Sequence, residues 1–151
     1  MKRRTFLLKS ASTAFGFQVV SSHVLRAAEG QNTPNNKIRI AAIGCGGQGG
    51  ADLGAMAGEE IVALCDVDDR RAAGAFKKFP KAKRFKDFRK MYDAVGDQID
   101  AVLVATPDHT HAVAIMGAIG RGKHVYSEKP LAHSVAEVRT LRAAALQKKV
   151  I

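Results

Sequence analysis

The stretch from Ile38 to Gly50, I-R-I-A-A-I-G-C-G-G-Q-G-G, restricts the fold more than any other part of the chain. Ile38, Ile40, Ala41, Ala42 and Ile43 form a short apolar run of the kind that makes a strand buried on both faces. Gly44, Gly46 and Gly49 follow at once in G-x-G-x-x-G spacing. In such a turn the first glycine permits the tight exit from the strand, the second lets a pyrophosphate approach the backbone, and the third lets the next helix pack closely. A helix starting near Gly47 would aim its free N–H groups and the positive end of its dipole at that pyrophosphate. Gly44, Gly46, Gly47 and Gly49 are therefore the first expected cofactor-binding residues.

A glycine-rich turn by itself is a weak signal, because such turns are common. Its context makes it stronger. Ile61-Val62-Ala63-Leu64-Cys65 reads as a second buried strand, and it ends in Asp66, roughly twenty residues beyond the first glycine, where an acid that binds the adenosine ribose should sit. Asp68 to Phe79 has helical composition and stops before Pro80. Lys83 to Phe85 reads as a short strand, and Asp87 can cap a helix that runs to about Val95 and ends at Gly96. Asp100 to Ala105 gives another buried strand, stopped by Thr106-Pro107. A helix from about His111 to Ile119, closed by Gly120 and Gly122, leads to a fifth strand over Lys123 to Ser127. Ser134 and Glu137 form a capping box for a helix to about Lys148, and Val150-Ile151 reads as the start of a sixth strand. Such alternation predicts an α/β fold, a Rossmann-type doubly wound parallel sheet in three layers. Ligands bind these sheets at the carboxyl ends of the strands, which places Thr106 to His111 where chemistry happens.

The net charge of +10 raises the question of nucleic acid. Five of the basic residues (Lys2, Arg3, Arg4, Lys9 and Arg26) fall in an N-terminal segment without acids, and the remainder is near +5. That remainder is spread over expected helix faces, with no aromatic platform or reader motif beside it, so no nucleic-acid partner is expected. Residues 1–28 read instead as a twin-arginine export signal: Arg3-Arg4, the apolar pair Leu7-Leu8, and a weakly apolar stretch too short and polar to span a membrane. This implies the twin-arginine machinery as a partner and a periplasmic location. Arg26 suits a cleavage site poorly, and an uncleaved signal would leave the protein membrane-anchored. An amphipathic basic helix is the alternative reading. Residues 29–36 form a polar linker, and the dinucleotide-binding domain occupies residues 37–151.

Cys45 and Cys65 are the only cysteines, which is no disulfide framework. Buried free thiols are the expectation, with a disulfide open if their strands are neighbours. His109 and His111 beside Asp108 lack the further ligands that zinc requires, so no metal is expected. Tyr126 precedes Lys129 by three positions, which does not fit a short-chain dehydrogenase pair.

The motifs I-A-A-I-G-C-G-G-Q-G, C-D-V-D, A-T-P-D-H-T-H and G-K-H-V-Y-S-E-K-P-L-A, spread over Lys37 to Ile151, resemble the N-terminal half of the Gfo/Idh/MocA family of glucose-fructose oxidoreductases and inositol dehydrogenases. The last two are the most specific. The resemblance implies that Gly44, Gly46 and Gly49 hold the pyrophosphate of NAD, with NADP less favoured, and that Asp66 holds the ribose. Arg70 and Arg71 follow closely enough to soften that preference. Thr106, Pro107, Asp108 and His111 would line the nicotinamide ribose and ring. Glu128, Lys129 and Pro130 would be the family's E-K-P motif, with Lys129 as the proton-handling residue and His111 as a second catalytic candidate. A cationic nicotinamide disfavours a charged amine nearby, so a lysine there can serve as base or relay near neutral pH.

The implied reaction transfers hydride between the cofactor and a secondary hydroxyl of a sugar or polyol. Two alternatives stay open: an NAD-dependent glycoside hydrolase with the same motifs, and a dinucleotide-binding fragment without catalysis. Family members continue into a substrate domain that usually mediates homo-oligomers, and this sequence is expected to be either a fragment of a larger reading frame or a truncated product.

Overall fold

A computed structural model describes residues 37–151. The export signal and linker read in residues 1–36 lie outside the described residues. Within the domain, five strands alternate with five helices: β1 (Arg39–Ile43), α1 (Gln48–Ala55), β2 (Glu60–Cys65), α2 (Asp69–Lys78), β3 (Lys83–Phe85), α3 (Phe88–Val95), β4 (Ala101–Val104), α4 (Asp108–Gly120), β5 (His124–Ser127) and α5 (Val135–Lys148). All strand pairs are parallel, in the order β3-β2-β1-β4-β5. The chain leaves β1 toward β2 on one side and reaches β4 on the other. That reversal opens a crevice above the carboxyl ends of β1 and β4.

Burial on both faces explains why the central strands carry no polar alternation. Ala41, Ile43, Val102 and Val104 pack on one side against Met91 and Tyr92 of α3, Ile115 and Ile119 of α4, and Leu141 of α5. Ile40, Ala42, Leu64 and Leu103 pack on the other side against Leu53 of α1 and Ala72 and Phe76 of α2. The pairing of β1 with β2 slips between Ile40 and Ala41, so that Ile40 faces Ile61 while Ala41 faces Ala63. This bulge puts Ile61 in the second cluster although Ala63 and Cys65 belong to the first. Arg39 ties the start of β1 to the turn before β4 through a two-pronged pair with Asp100, at 2.6 and 3.0 Å.

Local chemistry sets most helix boundaries. The Asp68 and Asp87 carboxylates accept from the backbone N–H groups of Arg70 and Arg89, both at 2.9 Å. The Ser134 hydroxyl and the Glu137 carboxylate cap each other's backbone N–H groups at 3.2 and 2.8 Å. Helix α3 ends at Val95 with Gly96 as its C-cap, as expected, and a 3-10 turn then carries the chain on to Gln98. One helix boundary differs from the sequence expectation. Helix α4 begins at Asp108, three residues before His111, with Pro107 as its N-cap. Proline ends a preceding strand but costs nothing at a helix start, where its missing N–H would have no partner. Val150 and Ile151 take no strand conformation, although the Val125 N–H donates to the Ile151 carbonyl at 2.7 Å. No helix among the described residues is long and apolar enough to cross a membrane.

Candidate functional site

The crevice at the reversal point is a cleft of about 590 Å³ between the loops that follow β1, β2, β3 and β4. At its centre the chain leaves β1 through Gly44, whose φ of +83° is a left-handed conformation that other residues rarely adopt. Its N–H donates to the Cys65 carbonyl at 2.8 Å, which binds the glycine turn to the end of β2. Gly49, buried in the first turn of α1, sits against the Gly44 carbonyl and the Ala105 Cβ, so α1 starts directly over the end of the sheet. The exposed Gly47 caps α1, and Gly46 faces the cleft.

Asp66 follows β2 and is held from two sides. One carboxylate oxygen accepts from the Cys45 N–H at 2.8 Å and the other from the Asp68 N–H at 2.9 Å. The acid therefore braces the glycine turn while keeping lone pairs for a ligand. Arg71 and Lys86 line the same cleft with Val67, which is 81% exposed, and Phe88. Arg70 points its charge at Asp68 instead, at 3.4 Å.

On the far wall are Ala105, Thr106, Pro107, His109 and Thr110. The Thr106 hydroxyl oxygen is buried without a hydrogen-bond partner in a residue that borders the cleft, which is the condition of a group reserved for a ligand. Asp108 accepts from the His109 N–H at 2.8 Å and has the His109 and His133 rings 3.7 and 3.6 Å away. The hydrogen bond from the His109 backbone N–H, more than any other contact, holds the Asp108 carboxyl below the ordinary carboxylate range.

His111 is placed differently from the sequence expectation. It does not border the cleft, and at 1% exposure its ring is inside the domain. Its Nδ1 is 2.8 Å from the Pro130 carbonyl and its Nε2 is 2.5 Å from the Thr106 carbonyl. The earlier start of α4 is the reason, since it puts residue 111 on the helix face that packs against the sheet. Glu128, Lys129 and Pro130 leave the carboxyl end of β5, next to β4, where the Glu128 N–H donates to the Val104 carbonyl at 2.9 Å. Lys129 is exposed and its bond to Pro130 is cis. These three residues stand beside the cleft and not in its lining.

Sequence reasoning passed over Val67, Lys86 and Phe88, and it included His109 and Thr110 only within the Thr106 to His111 stretch. Only Val67, an apolar residue directly after the ribose acid, carried a local signal. Cys45 and Cys65 are free and buried beneath the turn, and burial pushes both thiols up to about 12, so they stay protonated.

A glycine cradle without room for side chains, a helix N-terminus behind it, a braced acid and an unpartnered buried hydroxyl together fit a dinucleotide. The fold and site define a nucleotide-binding α/β domain of the Rossmann class. The chain belongs to the Gfo/Idh/MocA family, an oxidoreductase family with an NAD-binding Rossmann fold, whose model matches residues 38–151. It is 32% identical over 118 residues to an inositol 2-dehydrogenase of Rubrobacter xylanophilus, covering 75% of this chain and 33% of that protein. Inositol 2-dehydrogenase 2 of Saccharopolyspora erythraea is 37% identical over 100 residues, covering 63% of this chain and 29% of the relative.

Among solved structures, the WlbA dehydrogenase of Bordetella pertussis, in complex with NADH and UDP-GlcNAcA, superposes with a TM-score of 0.68 at 29% identity, covering 76% of this chain and 36% of that one. A mutant of the 3-ketoreductase KijD10 from Actinomadura kijaniata, in complex with TDP-benzene and NADP, gives 0.67 at 28% identity over 77% and 37% of the two chains. The chain spans a quarter to a third of the length of the curated relatives it matches.

Proposed function

We propose that this chain is the nucleotide-binding part of an oxidoreductase that moves hydride between NAD and a secondary hydroxyl of a sugar or polyol. The observation that carries this reading is the glycine cradle set against a braced Asp66 at the reversal of strand order. The names of the relatives, inositol 2-dehydrogenases and a nucleotide-sugar-bound dehydrogenase, support the substrate class. Bound NAD would supply the hydride chemistry. The backbone at Gly44, Gly46 and Gly47 would hold the pyrophosphate, Asp66 would accept from the ribose hydroxyls, and the Thr106 hydroxyl would meet the nicotinamide half. Lys129 would take or return the proton of the substrate hydroxyl.

Direct titration tests the cofactor. NAD should bind about tenfold more tightly than NADP, because a 2′-phosphate would sit against the Asp66 carboxylate at close range. Arg71 and Lys86 border the same cleft and attract that phosphate, which keeps the preference moderate. Asp66→Ser should shift the balance toward NADP. Tighter binding of NADP by the unaltered chain would overturn the assignment of Asp66.

We also propose export by the twin-arginine route to the periplasm, on the strength of Arg3-Arg4 and the apolar residues after them. Replacing both arginines by lysine should leave the protein in the cytoplasm. Unchanged periplasmic recovery would refute the signal.

A further inference from the structure

His111 is a buried polar residue in a domain whose interior is otherwise apolar among the described residues. Its two ring nitrogens face two backbone carbonyls, those of Pro130 at 2.8 Å and Thr106 at 2.5 Å. A carbonyl oxygen only accepts, so each contact needs an N–H on the ring side, and a neutral imidazole has one. The two carbonyls come from different loops: Thr106 follows β4, and Pro130 follows β5 within the E-K-P segment. Neither ring nitrogen is left to receive a proton from a substrate.

We infer that His111 is a positioning residue, a doubly protonated strut that donates to both carbonyls and fixes the spacing of the Thr106 loop and the Glu128 to Pro130 loop. This inference rests on the proposed function in so far as both loops meet the nicotinamide half of the cofactor. Other features of the site fit a strut. The Thr106 side chain has no protein partner of its own, so the hydrogen bond from His111 is what ties that residue to the neighbouring loop. On the other side, Glu128 is anchored to β4 through its N–H and Pro130 to α4 through its carbonyl, so Lys129 is held between two tethered neighbours. An apolar side chain of similar size would fill the same space and leave both carbonyls without a donor.

The geometry also separates the two bonds. Asparagine can place an amide nitrogen where Nδ1 stands and keep the Pro130 bond, whereas glutamine can place one where Nε2 stands and keep the Thr106 bond. Phenylalanine keeps the volume and neither bond.

The test uses the full chain. Its readouts are NADH affinity by fluorescence titration, amide hydrogen exchange of Lys129 and residues 131–133, and the ring nitrogen chemical shifts of His111. The strut requires both ring nitrogens to resonate as N–H. It requires His111→Phe to weaken NADH by about tenfold, the scale of one or two lost hydrogen bonds, with faster exchange at Lys129 and residues 131–133. His111→Asn should leave the exchange there as it is in the unaltered chain, and His111→Gln should speed it. An unprotonated ring nitrogen, or His111→Phe with unchanged exchange, would overturn the strut. If His111→Phe does not fold, the asparagine and glutamine pair and the ring shifts of the unaltered chain decide. Failure of the unaltered chain to bind NADH would count against the proposed function alone, and the exchange and ring measurements would still judge the strut.

Discussion

Gly49→Ala should destabilise the domain by about 3 kcal/mol, at the upper end of the usual cost of overpacking. For a domain of this size that corresponds to a fall in melting temperature on the order of 10 °C. An added methyl at residue 49 would overlap the Gly44 carbonyl and come within 2.9 Å of the Ala105 Cβ. Neither neighbour can rotate away, since one is backbone and the other is a Cβ with no rotamer. Relief has to come from lifting the start of α1 off the sheet, which withdraws the helix N–H groups from the position of the pyrophosphate. NAD affinity should therefore fall with stability, by tenfold or more. Gly74, inside α2, is the contrasting case: a methyl there meets nothing within 4 Å. Gly74→Ala should stabilise by about 0.4–1 kcal/mol through the helix preference of alanine. A Gly49→Ala protein that melts within a degree or two of the parent would show that the close approach of α1 to β1 is not what the glycine provides.

These two glycines show why some of the structure could be read in advance. Wherever a boundary depends on residues close in sequence, the reading was accurate: Asp87 caps α3, Ser134 and Glu137 cap α5, and Lys83–Phe85 is β3 to the residue. Gly47, at a φ of +54° that suits glycine, is the N-cap of α1, where the helix was expected to start. The reading was less accurate at Pro107, whose two roles, ending a strand and opening a helix, cannot be told apart locally. That ambiguity moved the start of α4 by almost one turn. A shift of that size decides which histidine borders the cleft, and so His109 took the place expected for His111.

The remaining misses are not local at all. Lys86 and Phe88 come to the cleft because β3 pairs beside β2 and brings its carboxyl end level with Asp66, a register that no spacing in the sequence specifies. The Asp66 N–H donating to the Phe85 carbonyl at 3.0 Å is the contact that aligns them. The bracing of Asp66 by the Cys45 N–H is likewise a product of the sheet, since the two are brought together by the pairing of Ile43 with Cys65. The acid that the spacing marked for a ribose thus has a second role in holding the turn. Its replacement should be judged by stability as well as by affinity.

Lys129→Ala should lower turnover by about a hundredfold or more, the scale of general acid and base residues, when measured in a protein that carries a substrate domain. The lysine is exposed, yet its backbone is not free. Glu128 is hydrogen-bonded to Val104 on one side, and Pro130 on the other both fixes its own φ and has its carbonyl against the His111 ring. Proline also restricts the residue before it to extended geometry. A long side chain rooted in a fixed backbone at the carboxyl end of β5 can reach toward the cofactor without contributing to the cradle that binds it. The effect should therefore fall on turnover, and NAD affinity should change by less than about threefold, because Lys129 stands outside the lining of the cleft. Lys129→Arg should not restore the rate, since a guanidinium keeps its proton and cannot act as a base. The two variants separate the roles a cation can play here: a charge that only attracts substrate would survive in arginine, whereas proton transfer would not. Turnover of Lys129→Ala within a few fold of the parent would exclude the lysine as the proton-handling residue. With both ring nitrogens of His111 engaged by carbonyls, the proton would then pass to His109, which borders the cleft, or to a group supplied by a substrate domain.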